Sequence, residues 1–163
     1  MKQTIEELNY NSWTIQKYIQ VLKEQNREVL VGIIKSSFSS IHETLWHMLW
    51  VEEAWFQRWQ GNVPQKPESN TVIPELNEIE ERFNAIHNKQ IKFLESLTGS
   101  PEEVTISYTN FQGTHCEYSL GQLIRHLIYH SVYHRGQLAT MLRQSGKVPP
   151  RTDYLVYLDE KKK

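Results

Sequence analysis

Helical periodicity over four long stretches constrains this chain of 163 residues more than any other feature. Apolar side chains recur three and four apart, the spacing that lines one face of an α-helix. The first stretch runs from about Thr4 to Gln25, with Thr4 and Glu7 placed as a capping box. The second runs from about Ser40 to Trp59, opened by Ser40 with Glu43 and closed by Gly61. The third begins near Pro74, a residue suited to a first helical turn, and stops before Gly99. The fourth opens at Ser119 with Gln122 and ends at Gly146. Each is long enough to span about 30 Å at 1.5 Å rise per residue.

Four such helices with no strong sheet pattern predict an all-α fold, a four-helix bundle forming a single domain over residues 1–163. The long connection from Gly61 to Ile73 carries Pro64 and Pro67 and reads as a crossing loop between the second and third helices. It lets the chain pass from one end of a bundle to the other, so that two successive helices can run parallel. Glu28 to Lys35 reads as an extended connector, and Val104 to Tyr118 alternates weakly before a turn at Gln112-Gly113, predicting a small irregular hairpin or loop. Pro149-Pro150 ends helical structure, Tyr154 to Leu158 docks back on the body, and Lys161 to Lys163 form a solvated tail.

Composition removes several functional classes. Eighteen basic and nineteen acidic side chains nearly cancel, giving a net charge of −1 and no nucleic-acid footprint. The sequence contains no run of about 18 apolar residues, so nothing is expected to span a membrane. The polar, acidic start from Met1 to Tyr10 lacks the apolar core of a signal peptide, and one cysteine, Cys116, excludes an internal disulfide framework and suits a reducing compartment. The expectation is a cytoplasmic protein acting on a small molecule.

The chemistry-bearing residues are histidines. His126, His130 and His134 recur at a spacing of four inside the fourth helix. Residues four apart are neighbours on one helix face, about 5–6 Å apart at Cβ. At about 100° per residue, His130 and His134 fall within the apolar arc of Leu123, Leu127, Leu138 and Met141, and His126 lies at its edge. On the second helix His47 sits at the margin of the apolar arc beside Val51, and His42 lies on the opposite margin. A pair of histidines is a weak metal site, whereas a third ligand from a facing helix leaves open coordination positions, the layout of a catalytic metal. Neutral imidazoles suit Zn, Ni, Cu or Fe. The expected ligands are His47, His130 and His134, with zinc or nickel preferred. The competing expectation is a set of core or surface histidines without metal. Glu52 falls mid-arc, odd for a carboxylate unless paired, and is the candidate to orient a nucleophile or take its proton. Arg135 and Gln137 can serve substrate, or Arg135 can pin a helix or partner. His87, His115 and Cys116 read as incidental, and Trp46, Trp50, Trp55 and Trp59 as core and interface.

Two segments together resemble one family. Ser40-Ile-His-Glu-Thr-Leu-Trp-His47-Met-Leu-Trp-Val-Glu-Glu-Ala-Trp55, followed by Ser119-Leu-Gly-Gln-Leu-Ile-Arg-His126-Leu-Ile-Tyr-His130-Ser-Val-Tyr-His134-Arg-Gly-Gln137, is similar to the DinB family, regarded as metal-dependent enzymes. The continuation Gly146-Lys-Val-Pro-Pro150-Arg-Thr-Asp153 resembles that family's C-terminal end. The resemblance implies an up-down-down-up four-helix bundle, a divalent metal on His47, His130 and His134, and a homodimer. It also implies kinship with S-transferases and isomerases that use low-molecular-weight thiols. The expected activity is therefore a metal-dependent transferase or hydrolase, in which a metal-activated thiol or water attacks an electrophile. The alternative is a non-catalytic metal-binding or stress-related interaction protein.

Overall fold

The structure, a computed structural model, describes residues 1–68 and 71–162. Ser69 and Asn70 of the expected crossing loop, and Lys163 of the expected tail, lie outside the described residues. The elements are α1 (Lys2–Lys23), α2 (Arg27–Val31), α3 (Ile41–Trp59), α4 (Leu76–Glu95), β1 (Thr105–Thr109), β2 (His115–Ser119), α5 (Leu120–Gln144) and α6 (Tyr154–Lys161). Among the described residues, no helix is long and apolar enough to cross a membrane.

The chain is mostly helical but not purely α. The weak alternation after Val104 forms an antiparallel hairpin of β1 and β2, in a register that sets Tyr108 opposite Cys116. Gly113 turns the hairpin at φ +83°, a left-handed conformation open to a residue without Cβ. Asn110 stabilises the turn, its Oδ1 accepting from the N–H groups of Gln112 and Thr114. The expected extended connector from Glu28 to Lys35 is helical as far as Val31, in the short helix α2 that the Asn26 side chain caps by accepting from the Val29 N–H, and non-helical beyond it. Helix α1 starts at Lys2, so Thr4 lies inside it and the expected Thr4–Glu7 box is not its cap; Glu7 accepts from Gln3. Ser40 caps α3 through the Glu43 N–H, while the Glu43 carboxylate turns to Ser39. The Ser119–Gln122 capping box of α5 is complete.

Helix α1 packs against α4 and α5, and α3 packs against the same two. Lys23 pairs with Glu80 and Gln16 bonds Asn84 between α1 and α4. Arg82 of α4 grips Glu53 of α3 through two hydrogen bonds of 3.0 and 2.6 Å, and Phe93 packs on Phe56 and Trp59. Between α3 and α5, Thr44 meets Met141 and Trp55 meets His126. Ile19, Leu22, Ile41, Leu49, Ile79, Leu94, Leu120 and Ile124 are fully buried at the centre. Burying each is worth about 1.5–3 kcal/mol, so α3 and α5 are held from both sides and their seam is a rigid place to mount side chains. Helix α6 docks through Tyr157 on Tyr10 and Trp13. Lys161, expected in the tail, belongs to that helix and pairs with Glu6.

Candidate metal centre

His47 on α3 and His130 and His134 on α5 face one another across the α3–α5 seam. The Nε2 atom of His130 lies 3.2 Å from that of His47 and 3.0 Å from that of His134. One ligand atom from each ring lies within 4.8 Å of the other two. Nitrogens bound about 2.1 Å from a tetrahedral zinc-sized ion stand about 3.4 Å apart, close to these separations. A ring nitrogen offers one in-plane position, for a proton or a lone pair. That single position on His130 cannot satisfy both neighbours, whereas one cation at the centre serves all three rings. These histidines can hold a metal ion.

The surroundings prepare the rings for that role. His134 Nδ1 donates to Gln137 Oε1 at 2.7 Å, which leaves the lone pair on Nε2, the atom aimed at the cluster. Gln137 is itself fixed by donating from Nε2 to Ser37 Oγ at 2.7 Å. Burial pushes the His47 pKa down to about 4, with a further push from His134. Burial likewise takes His130 down to about 3, reinforced by its neighbouring histidines. His134 is lowered by burial, with its bond to Gln137 acting in the opposite direction. All three are neutral at pH 7, the form that binds a metal. The ring of Phe38 lies 4.5 Å from that of His47 and 5.8 Å from that of His134, so the connector before α3 shields one side.

One cavity borders the cluster at His47, and a second lies beside His126. The first, of about 410 Å³, is bounded by His47, Phe38, Trp46, Trp50 and Ile73. The other, of about 380 Å³, is bounded by His126, Trp55, Tyr108, Tyr118, Gln122 and Leu123. A larger opening of about 750 Å³ between α3 and α4 contains none of the histidines.

The sequence profile of the DinB family matches residues 1–163. The chain belongs to the DinB family. It is 28% identical over 158 residues to Protein DinB of Bacillus subtilis (strain 168), covering 91% of this chain and 90% of that protein. The fold is similar to that of a DinB-like protein from Bacillus cereus ATCC 10987. The TM-score is 0.72 at 17% identity, over 93% of this chain and 96% of the other.

In this DinB chain the other expected site residues are distributed differently. His126 stays outside the cluster: its ring stands edge-on to Trp55 at 5.1 Å and 6.4 Å from the ring of His130. His42 Nε2 bonds the Pro74 carbonyl at 2.7 Å, away from the centre. His115 lies on β2, and half-buried His87 lines a small cavity with Asn11 and Gln90. Glu52 also lies outside the cluster. It is buried in the core, with Oε1 accepting from Asn11 at 2.9 Å and Oε2 from Gln90 at 2.7 Å. Burial raises its pKa to about 7, against the lowering effect of those two bonds and of Arg135. Arg135 points inward rather than toward a partner, donating to Asn11 Oδ1 at 2.6 Å and to Ser131 Oγ at 2.8 Å. Gln90, Glu52, Asn11, Arg135 and Ser131 thus form one buried polar chain from α4 to the helix that carries His130 and His134.

Asn11, Gln90, Phe38 and Ser37 are members of this DinB centre or its support that the histidine spacing does not reveal. A signal for two of them exists. Asn11 sits on the stripe of Leu8, Ile15, Tyr18 and Leu22, and Gln90 on that of Ile79, Phe83, Ile86 and Leu94. A polar residue in such a stripe requires a buried partner.

Proposed function

We propose that this protein is a divalent-metal-dependent enzyme in which His47, His130 and His134 hold the ion, zinc or nickel, and that it transfers a low-molecular-weight thiol to an electrophilic small molecule. The observation that carries this reading is the convergence of three neutral Nε2 atoms on one point. Three protein ligands leave a coordination position for an exchangeable group. When bound, the cation supplies a Lewis acid that lowers the pKa of a coordinated thiol or water. The chain supplies the rest. Burial keeps the imidazoles unprotonated, Gln137 holds the His134 tautomer, and Phe38 limits water on one side. The cavity of about 410 Å³ that His47 lines leaves room for a small molecule beside the centre.

In this account Glu52 is a positioning residue rather than the base. Both its oxygens are engaged by amides, and it acts through Asn11 and Arg135 on α5. The four long helices are read as an up-down-down-up bundle. Support comes from opposite sequence order in the α1–α4 contacts (Lys23 with Glu80, Gln16 with Asn84). The order is the same in the α3–α4 contacts (Trp46 with Arg82, Phe56 with Phe93) and opposite again in α3–α5 (Thr44 with Met141, Trp55 with His126). A homodimer is supported by Tyr129, Val132 and Tyr133, large side chains left exposed on the outer face of α5; sedimentation of the full chain tests it.

Turnover of a haloaromatic electrophile with a panel of low-molecular-weight thiols, before and after chelation, tests the activity. The expected result is thiol-dependent product that disappears with a chelator and returns with zinc or nickel. A metal-loaded protein inactive with every thiol would leave a binding protein without chemistry.

A further inference from the structure

The opening of about 750 Å³ between α3 and α4 lies within the size range of small-molecule sites, and no histidine borders it. It is elongated along the helices. Its α4 wall runs from Arg82 to Phe93, about 16 Å at 1.5 Å rise per residue. The pair of Arg82 and Glu53, joined by two hydrogen bonds, stands at one end. The side against the core is apolar. Phe56 and Ile86 are buried there, and Phe93 packs edge-on against Phe56 with ring centres 5.9 Å apart. Ala85 borders the same space with a side chain too short to fill it.

Charge separates this opening from the other two. Among the described residues Glu53 is the one carboxylate that lines it, and Arg82 neutralises that carboxylate. Lys89 and Lys92 line the same groove, are exposed, and make no ion pair or hydrogen bond among the described residues. Their spacing of three puts both ammonium groups on one face of α4, where like charges repel. The 410 Å³ cavity, by contrast, sets Glu43 and Glu68 against Lys66, and the 380 Å³ cavity is lined by neither lysine nor arginine. A trough with an apolar side and two uncompensated cations complements a molecule with an extended apolar body and an oxyanion. Covering Phe56, Ile86 and Phe93 supplies affinity, and neutralising the two lysines selects for charge.

We propose that the α3–α4 groove binds a single-chain amphipathic anion, its apolar chain along Phe56, Ile86 and Phe93 and its carboxylate or phosphate on Lys89 and Lys92. The site is separate from the three histidines and does not rest on the metal reading. It is also clear of the exposed Tyr129, Val132 and Tyr133, which lie on α5, so a dimer formed through that face leaves it open.

The test is calorimetric titration of the full chain, zinc-loaded and again after chelation, with octanoate, octyl phosphate, neutral octanol and acetate. At least one octyl anion is expected to bind tenfold or more tighter than octanol, and the tighter of the two identifies the oxyanion. Acetate, which has the charge without the chain, should bind at least tenfold more weakly than octanoate. Lys89→Gln and Lys92→Gln made together, at two exposed positions, should bring both anions to the level of octanol and leave octanol binding unchanged. Ala85→Phe, also at an exposed position, fills the groove and should weaken every octyl compound tenfold or more while the far-ultraviolet circular dichroism stays that of the parent. Chelation should change none of these results. The proposal is overturned if no octyl compound binds, or if octanol binds as tightly as both anions. It is equally overturned by an anion preference that survives the double lysine variant, or by full affinity in Ala85→Phe. A preference lost on chelation overturns it too, because the oxyanion would then be bound to the metal. A chain that takes up no zinc yet keeps the preference sinks the metal reading and leaves this site standing.

Discussion

Replacing Glu52 by glutamine should alter how stability depends on pH by a calculable amount. Burial lifts this carboxyl from its ordinary 4.5 to about 7. At about 1.4 kcal/mol per pH unit, that rise amounts to about 3 kcal/mol. The sign follows from proton counting. Between pH 4.5 and 7 the folded chain holds a proton at Glu52 that the unfolded chain has released. The advantage of the neutral carboxyl is therefore fully present below 4.5 and is lost as pH rises through 7. The buried histidines act in the opposite direction, since their lowered pKa values cost stability as pH falls below 6.5, but their contribution is common to both proteins and cancels in the difference. The amide in the Glu52→Gln variant has nothing to titrate. It also offers one acceptor oxygen where two amides, of Asn11 and Gln90, now donate, which adds an offset independent of pH. Urea unfolding of metal-free wild-type and Glu52→Gln chains from about pH 4.5 to 8.5 measures the difference. The variant should gain about 3 kcal/mol relative to wild type across that range. Parallel curves, differing by less than about 1 kcal/mol in their pH dependence, would refute the assignment of Glu52 as a buried, largely desolvated carboxyl.

Gln137→Leu should weaken zinc affinity about 10–100-fold, measured by chelator competition, while the far-ultraviolet circular dichroism stays that of the parent, because the change removes only the acceptor that fixes the His134 tautomer. Arg135→Met should cost about 2–4 kcal/mol in urea unfolding, since Asn11 Oδ1 and Ser131 Oγ lose a charged donor in the core. It should also raise the Glu52 pKa further, because Arg135 now lowers it. His126→Ala should leave zinc stoichiometry unchanged, since its ring packs on Trp55 outside the cluster.

The long helices and the histidine pair were legible because both are local. Spacing alone puts His130 and His134 on one face, and periodicity alone defines α3, α4 and α5 to within a few residues. His47 was legible only as one of two margin histidines of α3, with His42 on the other side, and it is packing that sets His47 against the pair. The role of Glu52 was not legible, because helix phase says that a side chain points inward but not toward which neighbour. Glu52 turns to Asn11 and Gln90, partners 41 and 38 residues away that only tertiary packing brings near. Helix α2 depends on one capping bond from Asn26, and α1 extends past Thr4 without any side-chain cap; both are terminal effects on which periodicity is silent. Cys116, unremarkable in sequence, sits across the hairpin from Tyr108, a relation created by strand register.

Metal stoichiometry tests the centre most directly. Elemental analysis of the purified wild-type chain, after equilibration with zinc or nickel and removal of excess, should give one ion per chain. His47→Ala, His130→Ala and His134→Ala should each fall to near zero while remaining helical. A wild-type chain that retains no ion, or a His130→Ala chain that retains a full equivalent, would contradict the assignment of these three residues as ligands.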